Sequence, residues 1–249
     1  MSEKKGGLQY VDSPEIRLSG IRKIVMAGDP GCTRFSDESK QVLGQILAQK
    51  TDLFFMLGDL TFTGLDEEFR DLIRFFDARV RVPVFAVRGN HDLAGYTRFL
   101  GRLSYALLLD KIVCFFLCNA TGHFSKEDLG LLKQSLETHG DKDFLVLMHI
   151  PPPVSGNRKF LKDEDWNELK TVLEPHRGRI RHIFCGHVHG FYEFEADGYP
   201  VTVTAGGGAA MIHELPESAK RIYHSVTLFL DPGGSLRTEV VPVEGVPVF

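Results

Sequence analysis

Ile21-Arg22-Lys23-Ile24-Val25-Met26-Ala27-Gly28-Asp29-Pro30-Gly31 is an apolar, β-branched run that stops at a tight turn carrying one carboxylate. Such a run reads as a buried strand, and Gly-Asp-Pro-Gly as the turn that ends it. The same phrase returns twice. Leu53-Phe54-Phe55-Met56-Leu57 runs into Gly58-Asp59, and Pro83-Val84-Phe85-Ala86-Val87 runs into Arg88-Gly89-Asn90-His91-Asp92. Helical segments separate the three. Ser36 offers an N-cap, Asp37 and Glu38 suit the positive end of a helix, and Val42, Leu43, Ile46 and Leu47 share a face. Phe69, Leu72, Ile73 and Phe76 form the apolar stripe of the next helix.

Ser104 to Leu109 and Ile112 to Cys118 flank Asp110-Lys111 and read as a hairpin. Ser125 caps a helix with Leu129, Leu132 and Leu136 on one stripe, after which Phe144-Leu145-Val146-Leu147-Met148 ends directly at His149. Residues 151–159 are too proline-rich for strand or helix and read as a rim loop. Asp163 opens a helix carrying Trp166, Leu169 and Leu173, and His182 to Cys185 then lead into Gly186-His187-Val188-His189-Gly190. After that the alternation stops, and two hairpins turn at Asp197-Gly198 and Pro232-Gly233-Gly234-Ser235. Strand–helix alternation followed by hairpins predicts an α/β sandwich with a mixed sheet or pair of sheets and the helices outside.

The 249 residues, 43% hydrophobic, are enough for one large core, so residues 16–249 read as a single domain and residues 1–15 as a mobile N-terminal arm. A formal charge of −4 and the lack of a basic block argue against a nucleic-acid polymer as partner. Four cysteines without a Cys-x-x-Cys pair, an N-terminus without an apolar signal core and no bilayer-length apolar stretch suggest a cytoplasmic chain away from membranes. Composition leaves the oligomeric state open.

Asp29, Asp59, Asn90, His149 and His187 each fall close to the carboxyl end of a predicted strand, where open α/β sheets bind ligands. With His189 they form a set of oxygens and imidazoles without thiolate, suited to borderline divalent metals such as Mn, Fe, Co or Zn. Six groups exceed one tetrahedral site. Two ions, with an aspartate between them, are the economical reading, and such a pair serves in-line displacement at phosphorus.

In this order the motifs Gly28-Asp29-Pro30-Gly31, Gly58-Asp59, Gly89-Asn90-His91-Asp92, His149 and Gly186-His187-Val188-His189 resemble the calcineurin-like metallophosphoesterase superfamily, over roughly residues 20 to 210. The resemblance implies a four-layer α/β/β/α sandwich with mixed sheets. It implies hydrolysis of a small-molecule phosphomonoester or phosphodiester by a hydroxide shared between the ions. Asp59 would bridge the two metals, Asp29 and His189 would hold the first, and Asn90, His149 and His187 the second. His91 would act as general acid or transition-state stabiliser, oriented by Asp92.

One position departs from the family pattern. Most members have Asp-x-His where this chain has Asp29-Pro30-Gly31, so the first metal loses an imidazole. A branch resembling purple acid phosphatases shares Asp-x-Gly but places a tyrosine where this chain has Phe62. Cys32 and Thr61 are the nearest replacements, although Cys32 reads first as a small residue packed beside the turn. The departure gives some weight to an alternative, a degenerate member acting as a non-catalytic scaffold. His123, His139, His176, His182, His213 and His224 match no motif, Arg88, Arg158 and Lys159 could reach a substrate phosphate but read first as solvated loop residues, and Gly206-Gly207-Gly208 reads as packing or turn geometry.

Overall fold

The computed structural model describes residues 6–32, 35–154, 159–211, 215–231 and 233–248. Its strands and helices in chain order are β1 (Gly7–Leu8), β2 (Glu15–Arg17), β3 (Lys23–Ala27), α1 (Asp37–Leu47), β4 (Leu53–Met56), α2 (Asp66–Arg79), β5 (Pro83–Ala86) and the short α3 (Tyr96–Leu100). There follow β6 (Tyr105–Leu108), β7 (Ile112–Phe116), α4 (Lys126–Thr138), β8 (Asp143–Leu147), α5 (Asp163–Leu173), a 3-10 turn (Glu174–Arg179) and β9 (Ile180–Cys185). The chain finishes with β10 (Phe191–Ala196), β11 (Tyr199–Thr204), β12 (His224–Leu230) and β13 (Leu236–Pro242).

The strands form two mixed sheets, ordered β1-β5-β4-β3-β12-β13 and β10-β11-β9-β8-β7-β6-β2. Their sequences explain the layering. Ile24 and Met26 of β3 face the space between the sheets, where they join Leu145 and Leu147 of β8 and Phe116 of β7. Val25 and Ala27 face outward and pack with Val42 and Phe69 of α1 and α2. Phe144 and Val146 likewise point out toward Leu132 of α4 and Trp166 of α5. Strands buried on both faces read as continuous apolar runs, which is what these stretches show. The four-layer α/β/β/α arrangement follows.

Helix starts obey local chemistry. Ser36 accepts from the Ser39 N–H at 3.2 Å and Ser125 from the Asp128 N–H at 3.0 Å. At α2 the Glu68 carboxylate reaches back to the N–H groups of Thr63 and Leu65. On the α2 stripe Ile73 is only half-buried, and Phe75 takes its place inside beside Phe76. The two C-terminal hairpins part company: β10–β11 adds to the second sheet through β9, whereas β12–β13 adds to the first, antiparallel to β3. Of the arm expected over residues 1–15, residues 1–5 lie outside the described residues. From Gly6 onward the segment is described, with Gly7–Leu8 parallel to Pro83–Val84, so backbone hydrogen bonding ties it down where composition showed only polarity. No helix among the described residues is long and apolar enough to cross a membrane.

Candidate metal centre

β3, β4 and β5 of the first sheet deliver Asp29, Asp59 and Asn90, while β8 and β9 of the second deliver His149, His187 and His189. The turns that do so are sharp. Asp29, Asp59 and His187 have φ of 63°, 50° and 72°, a region that residues with a Cβ rarely enter. Strain of this kind, about 1–3 kcal/mol per residue, gathers at functional sites because the surroundings hold it. Gly89 makes room for it, since a Cβ there would fall on the Asp59 backbone nitrogen and carboxylate.

Ligand atoms of Asp59, His149 and His187 lie within 4.8 Å of one another, and those of Asp29, Cys32 and His189 make a second such group. In the first group His149 Nδ1 donates to the Leu57 carbonyl at 2.8 Å. Its Nε2 therefore faces inward, 3.0 Å from Asn90 Oδ1, 3.2 Å from His187 Nδ1 and 3.3 Å from Asp59 Oδ1. In the second, His189 Nδ1 is tied to the Ala210 carbonyl, and Nε2 faces Cys32 Sγ at 3.0 Å and Asp29 Oδ1 at 3.7 Å. Anchoring one ring nitrogen on a carbonyl is how proteins aim the other at a metal. Asp29 also accepts from the His187 N–H at 2.9 Å, joining the first turn to the last.

The electrostatics call for a cation. Burial first, with the neighbouring Asp59 adding to it, pushes the Asp29 carboxyl well above its usual range despite the pull of His149. Burial works on Asp59 in the same direction, but there the charge and hydrogen bond of His149 win and hold it below the usual carboxylate range. His149 is pushed up to about 9: burial disfavours its charge, and Asp59 and then Asp29 outweigh burial. Buried carboxylates are stable when paired or metal-bound, so this donor set fits divalent ions.

Asp92 and Thr61 have partners of their own. Asp92 was expected to orient His91, yet its buried carboxylate accepts from the N–H groups of Gly89, Leu60 and Thr61 and from the Thr61 hydroxyl. It pins the Gly58–Thr61 turn against the Gly89–Asp92 turn because four donors surround it and the His91 ring lies elsewhere. That ring is held by the Phe62 carbonyl at Nδ1, 2.7 Å away, and the His91 N–H donates to Asp59 Oδ1 at 2.9 Å. Thr61 donates its hydroxyl to Asp92 and belongs to neither ligand group.

Sequence reasoning missed Asn119 at the end of β7. Its side chain accepts from the N–H groups of His149 and Ile150 and donates to the Ile150 carbonyl. The signal was a lone polar residue closing an apolar strand. The Gly206–Ala210 loop does more than pack: Gly207 and Ala209 donate to the carbonyls of Gly28 and Asp29, which brings the Ala210 carbonyl to His189. The histidines outside the motifs stay out of both groups, with His123 on Asp165, His139 on Glu15, His182 on Thr202 and His176 on Arg179. Arg88 lies against Cys118, while His213 and Arg158 fall outside the described residues.

The calcineurin-like phosphoesterase family description matches residues 22–191, from β3 to the end of the Gly186–Gly190 turn. The chain belongs to that family. It is accordingly a metal-dependent phosphoric ester hydrolase. Over 270 aligned residues this phosphoesterase is 29% identical to the 3',5'-cyclic adenosine monophosphate phosphodiesterase CpdA of Haemophilus influenzae, covering 92% of this chain and 93% of that protein. It is 27% identical over 162 residues to the glycerophosphodiester phosphodiesterase GpdQ of Enterobacter lignolyticus, covering 57% of this chain and 58% of that protein. Among solved structures, the purple acid phosphatase PPD1 of yellow lupin seeds matches with a TM-score of 0.75 at 14% identity, over 93% of this chain and 53% of that one. At that identity the likeness is one of fold.

Proposed function

We propose that this phosphoesterase, a single catalytic domain over residues 16–249, hydrolyses a small-molecule phosphodiester or phosphomonoester with two divalent ions. The observation that carries the reading is the convergence of two three-ligand groups, Asp59–His149–His187 and Asp29–Cys32–His189, joined by the His187 N–H on Asp29. Asn90, His149 and His187 would hold one ion, Asp29 and His189 the other, and Asp59 both. Bound there, the ions would acidify water and stabilise charge on the attacking and leaving oxygens. His91 supplies the proton. With Nδ1 tied to the Phe62 carbonyl, its Nε2 is left to protonate the leaving oxygen, and its backbone link to Asp59 fixes its distance from the ions.

A diester is the favoured substrate on the names of the two relatives, a cyclic-nucleotide and a glycerophosphodiester phosphodiesterase. Exposed Phe62, stacked on the His91 ring, and exposed Leu93 would receive its organic part. The convergence of the ligand side chains counts against a scaffold role, and four free, buried cysteines favour a reducing, cytoplasmic setting. The test is reconstitution of apoprotein with Mn, Fe, Co or Zn, followed by ion counting and assay on cyclic nucleotides, glycerophosphodiesters and phosphomonoesters. Two ions per chain with hydrolysis is the expected result. Fewer than one ion, with no hydrolysis, refutes the reading.

A further inference from the structure

Gly31 occupies the position where most of the superfamily has a histidine, and the backbone explains why no side chain stands there. A Cβ on Gly31 would land on the Leu60 carbonyl. The turn therefore has to find its ligand elsewhere, and the next residue offers one. Cys32 is buried, with its Sγ 3.0 Å from the inward-facing Nε2 of His189 and in one group with Asp29. The other cysteines behave differently. Cys114 and Cys185 lie within the apolar clusters, and Cys118 lies against Arg88, whereas Cys32 belongs to none of the three clusters and points at candidate ligands. A small residue merely filling space would have no reason to face an imidazole nitrogen that Ala210 holds in place.

We propose that Cys32 is a thiolate ligand of the first metal, replacing the imidazole that Gly31 cannot carry and completing an Asp29–Cys32–His189 set to which Asp59 adds its shared oxygen. The proposal rests on the two-ion reading above. On metal uptake the Cys32 S–H gives its proton to solvent and the sulfur lone pair forms the bond to the ion, with no change of oxidation state. A thiolate makes this position softer than its all-oxygen-and-nitrogen neighbour, so the two positions should sort metals differently: zinc, iron or cobalt in the first, and manganese accepted more readily in the second.

The experiment is cobalt reconstitution of the full chain, read by absorption. The parent and Cys118→Ser are expected to bind two ions and show a near-ultraviolet thiolate-to-cobalt charge-transfer band. Cys32→Ser is expected to lose the band while the second ion stays bound. X-ray absorption of the zinc form of the parent gives a readout that needs no variant, a Zn–S distance of about 2.3 Å. Two ions bound without band or Zn–S scattering in the parent overturns the thiolate and leaves the two-ion enzyme standing. A band that survives in Cys32→Ser also overturns it. If the parent binds no ion, the two-ion reading falls and the thiolate with it.

Discussion

His91 and Asp59 sit one hydrogen bond apart, and their contributions can be separated. His91→Ala removes the proposed proton donor, which would touch the leaving group in the transition state alone, so kcat should fall by about 10²–10⁴-fold with KM little changed. Asp59→Asn removes the charge proposed to serve both ions, so it should lower ion content as well as turnover. Steady-state kinetics paired with metal analysis distinguishes the two. An unchanged kcat in metal-loaded His91→Ala would remove it from the mechanism. Gly31 is testable on stability alone. Because the obstacle is the Leu60 carbonyl rather than a movable side chain, Gly31→Ala should cost about 1–3 kcal/mol in urea unfolding. At this scale the side chains that converge were legible in the sequence, since Gly-Asn-His-Asp and Gly-His-x-His carry their chemistry in residue type. The partner of the His91 ring was not, because a backbone carbonyl has no residue signature.

Among the elements, the strands and capped helices could be read from apolar runs and from Ser36 and Ser125. The limits of that reading have physical causes. Ile73 and Phe75 both fit the apolar side of α2, and only the sheet beneath decides which is buried. The two C-terminal hairpins have similar patterns, yet they join different sheets, because pairing depends on which neighbouring strand is free rather than on hairpin sequence. The turn after β8 illustrates what an element needs beyond its own residues. Asn119, from the neighbouring strand, satisfies three backbone groups of His149 and Ile150. Asn119→Ala should leave them unpaired at a total cost of at least about 3 kcal/mol. It should also lower activity, since His149 loses its backbone anchor. Chemical denaturation and kinetics on one preparation test both halves, and a stable, fully active variant would show that the turn holds without Asn119.

For the whole molecule, ions held as proposed would couple binding to folding through the buried carboxylates. At a free metal concentration of 100 times its Kd, each ion adds about 2.7 kcal/mol to stability. For a chain of this size that is roughly 5–10 °C in Tm, which chelation should remove in a calorimetric scan. A pH effect arises at a histidine outside the ligand groups. His224 is buried against Phe191 with Nδ1 donating to the Ile222 carbonyl and Nε2 without a partner. Burial pushes it down to about 4, against an ordinary 6.5. Between those values the unfolded chain takes up a proton that the folded chain refuses, so stability falls as pH drops from about 6.5 toward 4 and is unaffected above that window. The slope from this one residue approaches about 1.4 kcal/mol per pH unit. His224→Phe should flatten the curve in urea titrations at pH 7 and pH 5, and an unchanged slope would acquit His224.

The segment before β3 has a consequence of its own. β1 lies along β5 at one margin of the first sheet, β2 lies along β6 at one margin of the second, and Val11 bridges to Gly101 between them. Eleven residues, 7–17, thereby cover the open sides of two sheets at once. An uncovered strand with unpaired N–H and C=O groups recruits other chains. β6, all of whose residues are buried, would become such a template. A chain truncated to begin at Leu18 retains every proposed ligand residue, yet it should self-associate on size-exclusion chromatography more than the full chain, and a tag fused close to β1 invites the same fate.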